Sequence, residues 1–397
     1  MIFRTRRAVS LAAAALLASG AFTALGAPAQ AAGTETDLAI TAAGTRTTDG
    51  VQGKFGWAKI ANLGEGTPSK VLIKVDTSKV DFDKLVVGAF TQGDCEVVGD
   101  LKPELWVCEL AEDEIPGPGE TTEVPLVLFK STEETIGAYK APVTISIESP
   151  DDTDESNNSI DIDVEVTPES GVDLGVIVPD VKSRLDLDTL DELGPLNPGD
   201  RTAVYSEIVN QGDLTAKGMK LTYQVPEGVS ILPIEGCDLS ADKRTVVCED
   251  ENFVFEPDTI LVLPLPVEVS KALDAPVTLK GGSLEAAAFG VLAPDARLSQ
   301  QQRKPAFAAA ELRKANESEF TDLDPSDNSD DFAVVVSAPS DGGNGGGGGG
   351  GLPVTGVQAG LIGAVGAGVV LAGVAMFLVS RRRRVVMVAP GDEKSNS

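Results

Sequence analysis

The stretch "WAKIANLGEGT" (57–67) returns later in the chain as "YSEIVNQGDLT" (205–215). In both, an aromatic precedes an aliphatic by three residues, and Asn-x-Gly follows (Asn62, Gly64; Asn210, Gly212). Four further landmarks repeat in the same order. "TDLAI" (36–40) answers "VDLGV" (172–176), and Cys95 and Cys108 answer Cys237 and Cys248. "APVTISI" (141–147) answers "APVTLKG" (275–281), and "DDTDESNNSIDIDVEV" (151–166) answers "DPSDNSDDFAVVV" (324–336). A chain that writes one unit twice folds each copy around its own core. The copies are expected over 32–168 and 169–338, each long enough to bury such a core.

The pattern inside each copy is that of strands. "KVLIKV", "EVPLVLF", "VTISI" and "IDIDVEV" are short β-branched runs, several alternating strictly, divided by Gly, Pro, Asn and Asp clusters. This predicts an all-β fold of two tandem antiparallel β-sandwich domains. The second copy is longer over 183–200 and again over 293–320. The later insertion predicts a short helix from about Ala306 to Lys314. It also gathers Arg297, Arg303, Lys304, Arg313 and Lys314, which makes it a candidate contact loop.

The cysteines sit two per copy at matching positions, in "GDCEVVGDLKPELWVCEL" and "GCDLSADKRTVVCED". Each segment reads as strand–turn–strand, so the expected bridges are Cys95–Cys108 and Cys237–Cys248, each stapling a hairpin. Each is worth about 3 kcal/mol in the chain-entropy view. The rival reading, a four-thiolate zinc site, lacks the paired close spacing of zinc ligands and would have to span both copies.

Composition removes several kinds of chemistry. The chain contains no histidine, so Ser-His-Asp and Cys-His catalysis are excluded. Aromatics make up 5% of the residues, and no carboxylate pair lies in a recognisable aromatic-lined setting. No catalytic constellation and no cofactor are expected. A net charge of −29 repels nucleic acid. The acidic runs at 151–155 and 322–331 raise calcium as a candidate ion, although neither has the glycine and terminal glutamate of an EF-hand loop.

The two ends read as addresses. Residues 1–31 run from a basic start (Arg4, Arg6, Arg7) through an apolar stretch to Ala29-Gln30-Ala31, which predicts a signal peptide cleaved between Ala31 and Ala32. Residues 357–379 carry no charge and would form a helix of roughly 34 Å, long enough to cross a membrane. The basic tail, 380–397, opens with Arg381 to Arg384 and sets a cytoplasmic C-terminus. Before the span come a glycine-rich linker (339–351) and "LPVTG": Leu352, Pro353, Val354, Thr355, Gly356.

LPxTG, apolar helix and basic tail, in that order, resemble the sorting signal of Gram-positive surface proteins processed by sortase. The resemblance implies a single-pass membrane precursor cut between Thr355 and Gly356, with Thr355 then joined covalently to peptidoglycan. On this reading the chain would be a sortase substrate on the cell wall of a Gram-positive, expected to be actinobacterial, cell. Pro353 would shape the peptide, Leu352 would anchor it, and Gly356 would open the Thr355 carbonyl to attack.

A second resemblance rests on "IVNQGDLTAKGMKLTYQVPEGVSIL" (208–232). It is similar to the immunoglobulin-like repeat domains of bacterial surface proteins of the CARDB kind. That likeness implies a turn at Asn210 and Gly212, another at Pro226-Glu227-Gly228, and caps at Asn157-Asn158 and Asp327-Asn328 before the final strands. Such domains act as spacers or adhesive modules toward protein or glycan ligands, and the likeness names no ligand.

Overall fold

A computed structural model describes residues 35–99, 102–132, 134–187, 189–292 and 322–338. The predicted signal peptide with Ala31 and Ala32, the 293–320 insertion, the glycine linker, the LPVTG motif, the 357–379 span and the basic tail all lie outside the described residues. The described residues belong to one compact unit. Among the described residues it is all-β, relieved by a 3-10 turn at Glu155–Asn157. None of its described helices is long and apolar enough to cross a membrane.

Two sheets make the first sandwich. One runs β1 (Leu38–Ala43), β3 (Gly53–Asn62), β8 (Thr121–Lys130), β5 (Leu85–Ala89). The other runs β2 (Arg46–Thr48), β10 (Ser159–Thr167), β9 (Tyr139–Glu148), β4 (Leu72–Asp76), β7 (Leu105–Glu109), β6 (Cys95–Val98). Every pairing is antiparallel except β2 on β10. Strict alternation along β3 and β9 turns Ala58, Ile60, Val143 and Ile145 inward, where both sheets share one apolar core.

The second sandwich repeats this plan. Its first sheet is β11 (Leu174–Ile177), β14 (Arg201–Asn210), β19 (Thr259–Val269), β16 (Val229–Ile231). Its second is β17 (Cys237–Leu239), β18 (Thr245–Phe255), β15 (Ala216–Gln224), β20 (Val277–Val291), β21 (Ser329–Val336). These enclose a separate core that includes Leu221, Tyr223, Phe255 and Val334. The strand order matches the first sandwich except that the counterpart of β2 is reduced to an isolated bridge between Val181 and Val334, and this gives the duplication a structural meaning. Four of the five landmarks fall at equivalent places.

The fifth, Ala-Pro-Val-Thr, does not. Ala141 and Pro142 lie within β9 and pair with Val164 and Asp163, whereas Ala275 and Pro276 precede β20. Tyr139 faces Val166 as Val277 faces Val336, so the structural partner of Ala141 is Leu279, opposite Val334. A register bulge between Leu279 and Gly282 shifts the strand further, and short apolar strings tolerate such slips.

The Asn-x-Gly turns are built alike. Asn62 Nδ2 donates to the carbonyls of Gly66 and Pro116, and its Oδ1 accepts from the Gly64 amide. Asn210 does the same with Leu214, Phe255 and Gly212. A Cβ on Gly64 would lie 2.6 Å from the Glu35 carbonyl oxygen, and one on Gly212 would lie 2.2 Å from that of Gly171. Only glycine fits at either place. Pro226-Glu227-Gly228 closes a turn between β15 and β16, with Gly228 at φ +94°.

Both disulfides form, Cys95–Cys108 and Cys237–Cys248. In each, the cysteines face one another directly across the outermost strand pair of the second sheet, β6 on β7 and β17 on β18. All four thiols are thereby consumed, which removes the four-thiolate zinc reading. The insertion over 183–200 forms a hairpin, β12 (Ser183–Leu185) and β13 (Glu192–Pro195).

Candidate functional site

The sequence-predicted sorting residues lie outside the described residues, and the cysteines serve the edges of the sheets. The densest polar chemistry lies elsewhere, at the seam where the two sandwiches meet. It begins with an edge. β1 pairs with β3 only from Trp57 to Asn62, because Gly44 then carries the chain across to β2 in the other sheet. That leaves residues 53–56 of β3 without a strand beside them on that side. Gln211 of the second sandwich fills the gap: its Oε1 accepts from the Phe55 amide at 2.8 Å, and its Nε2 donates to the Phe55 carbonyl at 2.9 Å. One side chain thus imitates a strand neighbour.

Next to it, Lys54 is wholly buried. Its Nζ lies 2.9 Å from both carboxylate oxygens of Asp173, 3.0 Å from Asp324 and 3.1 Å from Asp327. All three aspartates belong to the second sandwich: Asp173 just before β11, the others in the loop that leads into β21. That loop is fixed from both sides. Asp324 accepts from the amides of Ser326 and, across the seam, Arg46; the Ser326 hydroxyl accepts from the Gly44 amide. Asp322 accepts from the Leu174 amide.

Comparison of the copies explains the cage. The equivalent loop of the first sandwich contains Asp152, Asp154 and Asn157, and there Asn157 Nδ2 donates to Asp37 Oδ1 at 2.9 Å. Asp37 corresponds to Asp173 and Asn157 to Asp327. The second copy therefore sets a carboxyl where the first has an amide donor, and two acceptors meet. Lys54 supplies the missing donor and positive charge from the other sandwich. The residue equivalent to Lys54 is Thr202. It is covered by its own hairpin: Thr202 Oγ1 donates to the Ser183 carbonyl and accepts from the Leu185 amide. The 183–200 insertion caps the second sandwich at the place where the first receives its neighbour.

A second ionic cluster extends the seam. Lys59 Nζ bonds Asp330 and the Asp331 carbonyl, with Glu123 at 3.4 Å. Further along, Asp180 accepts from the amides of Thr121 and Ala333, and Lys182 pairs with Glu120. Beside Lys59 a crevice of about 170 Å³ opens between the sandwiches, lined among others by Trp57, Glu123, Val176 and Asp330. The buried Trp57 indole N–H has no hydrogen-bond partner among the described residues.

The titration behaviour follows from this crowding. Burial pushes Asp173 up to about 6 against the pull of Lys54. Burial, with the charge of Asp173 added, takes Asp322 to about 7. Asp327 rises to about 8, mainly through burial, with Asp173 and Asp324 reinforcing it. Asp324 is also buried, but Lys54, Ser326 and the Arg46 amide hold it below the usual carboxylate range. Lys54 is held above the usual lysine value, since the three carboxyls outweigh the effect of its burial. Burial likewise raises Glu123, beside Asp330, and Asp180.

The acidic loop residues considered for calcium are occupied by donors within the protein. Asp152 accepts from Asn158 and the Leu38 amide, and Asp154 from Ser156. No set of three or more acidic or cysteine side chains among the described residues is arranged to hold a metal ion. Sequence reasoning missed Lys54, Gln211 and Asp173, and had Asp324 only as part of an acidic run considered for calcium. The available signal was the exchange of Asn157 for Asp327 between copies, matched by a lysine at 54 against a threonine at 202.

No family model matches the chain, and none of the curated proteins does. Among solved structures it is similar to the crystal structure of a variant of BcpA, the major pilin subunit of Bacillus cereus. The match covers 68% of each chain at 11% identity with a TM-score of 0.21, too loose a likeness to carry an inference about fold or role.

Proposed function

We propose that this chain is a cell-surface stalk: two immunoglobulin-like modules exported by the signal peptide and tied to peptidoglycan through Thr355 by a sortase. The modules act as a structural spacer, and the chain is a substrate of an enzyme, not itself an enzyme. The anchoring half of this reading is supported by sequence order: 1–31, then the modules, the glycine linker, LPVTG, the apolar span and the arginines. The spacer half is supported by the seam. A protein that only displayed two independent modules would have no use for a buried lysine in a cage of three carboxyls between them. Burying such charges is costly unless each is paired, so the contact fixes one orientation.

The test of anchoring is mass spectrometry of wall fragments released by a muramidase. The expected species ends at Thr355 and is joined to a peptidoglycan stem peptide. Recovery of the chain with residues 357–379 still attached, by detergent alone and from cells with active sortase, would refute it.

A second reading is an adhesin, and one observation favours it. The outward face of the second sandwich's β14–β19 sheet presents Ile260 and Val262, 54% and 43% exposed. Saturable binding of a wall, glycan or host-protein panel, lost on changing both residues to Ser, would favour this reading over the spacer.

A further inference from the structure

We propose that the seam is a proton-linked clamp, closed while the carboxyl cage around Lys54 carries bound protons and loosened as those protons leave. The inference goes beyond the stalk reading and holds whether or not the chain is anchored to a wall.

It rests first on a count of charges. Asp173, Asp322, Asp324 and Asp327 converge from the second sandwich. Facing them from the first are the buried Lys54 and, at the rim, Arg46, which is also drawn outward toward Glu165 and Glu169. One buried ammonium cannot balance four carboxylates in a poorly solvated site. The neighbouring cluster shows the same shortage, with Glu123 and Asp330 sharing Lys59. Asp180 has only uncharged donors, from Thr121 and the Ala333 amide, and the more distant charge of Lys182, whose own partner is Glu120. The deficit is made up by protons.

The duplication supplies the second argument. In the first sandwich the donor to Asp37 is the amide of Asn157, which carries no titrating proton. In the second, Asp327 can imitate that donor only when its carboxyl is protonated. Ionised, it is one more negative charge against Asp173, and its Oδ1 is buried without a hydrogen-bond partner among the described residues.

The direction follows from linkage. Asp173, Asp322 and Asp327 bind protons more tightly in the closed seam than in separated sandwiches, where they would approach the ordinary value of 3.8. Their contribution is complete below about pH 4 and is lost as pH rises through about 6 to 8. Asp324 works oppositely, but its loss comes only at pH values below 3.8. Lys54 keeps its charge beyond pH 10.5. The working window is therefore about pH 4 to 8.

Hydrogen exchange on the full chain, corrected for intrinsic rates, reads the clamp directly. The reporters are the amides of Arg46 and Phe55, which donate across the seam to Asp324 and Gln211. Their protection should fall about tenfold or more between about pH 5.5 and 8.5, while amides in β9 and β15 keep theirs. In Asp327→Asn, which copies the first sandwich, the fall should be several-fold smaller than in the wild type, the remainder coming from Asp322 and Asp173. A wild-type fall under twofold overturns the proposal. So does an undiminished fall in Asp327→Asn, or a loss of protection in β9 and β15 equal to that at the seam. Should Asp327→Asn misfold, the wild-type comparison of seam with β9 and β15 still decides.

Discussion

Lys54 is the residue on which the two sandwiches depend. Replacing it by Ala leaves Asp173, Asp324 and Asp327 facing each other in a buried site, and removing one member of such a set typically costs about 3–5 kcal/mol. Protonation relieves part of that repulsion, so denaturant titrations of Lys54→Ala should show a larger loss at pH 8 than at pH 5.5. Asn62 and Asn210 matter in a quieter way. Each closes the turn after the second strand of its first sheet and satisfies two carbonyls and an amide. Asn210→Ala should cost about 1–3 kcal/mol, as buried groups lose their partners. These asparagines were legible in the sequence because both copies retain them. Lys54 was not, because its meaning lies in a difference between the copies and in burial, which periodicity does not reveal.

At the scale of elements, the strands followed from alternation, and the disulfides from two cysteines at matching places in each copy. The bridges fasten the outermost strands, where Cys95, Glu96, Val97 and Val98 are all exposed and little else holds the edge. Changing Cys237 and Cys248 together to Ser should lower stability by about 2–4 kcal/mol in reduced-reference denaturation. The β17–β18 hairpin should lose exchange protection first. The 183–200 insertion was visible as extra length, but its place was not. It covers Thr202 and brings in Leu196, which is fully buried. Replacing 183–195 by a short turn should expose that end of the second core and lower the melting temperature, with the first sandwich unaffected. The Ala-Pro-Val-Thr match shows the opposite limit: an identical string can sit inside one strand and ahead of another.

The whole molecule is two copies of one plan made unequal at a few positions. The first copy keeps an amide in its acidic loop and lends a lysine; the second has a carboxyl there and a cap where the lysine would be. Such asymmetry orders the sandwiches along the chain and gives the pair a single arrangement, which suits a part meant to hold a distance from a surface. The proposed surface address rests on the ends of the sequence, where basic start, glycine linker, LPVTG, apolar stretch and arginines stand in order.

The most direct measurement is a spin-label distance across the seam, with one label at Lys79 and one at Glu235, exposed positions on the first and second sandwich. At pH 6 the wild-type chain should give one narrow distance distribution, and Lys54→Ala a broad one. A wild-type distribution as broad as that of the variant would contradict the claim that the buried lysine joins the two sandwiches into one body.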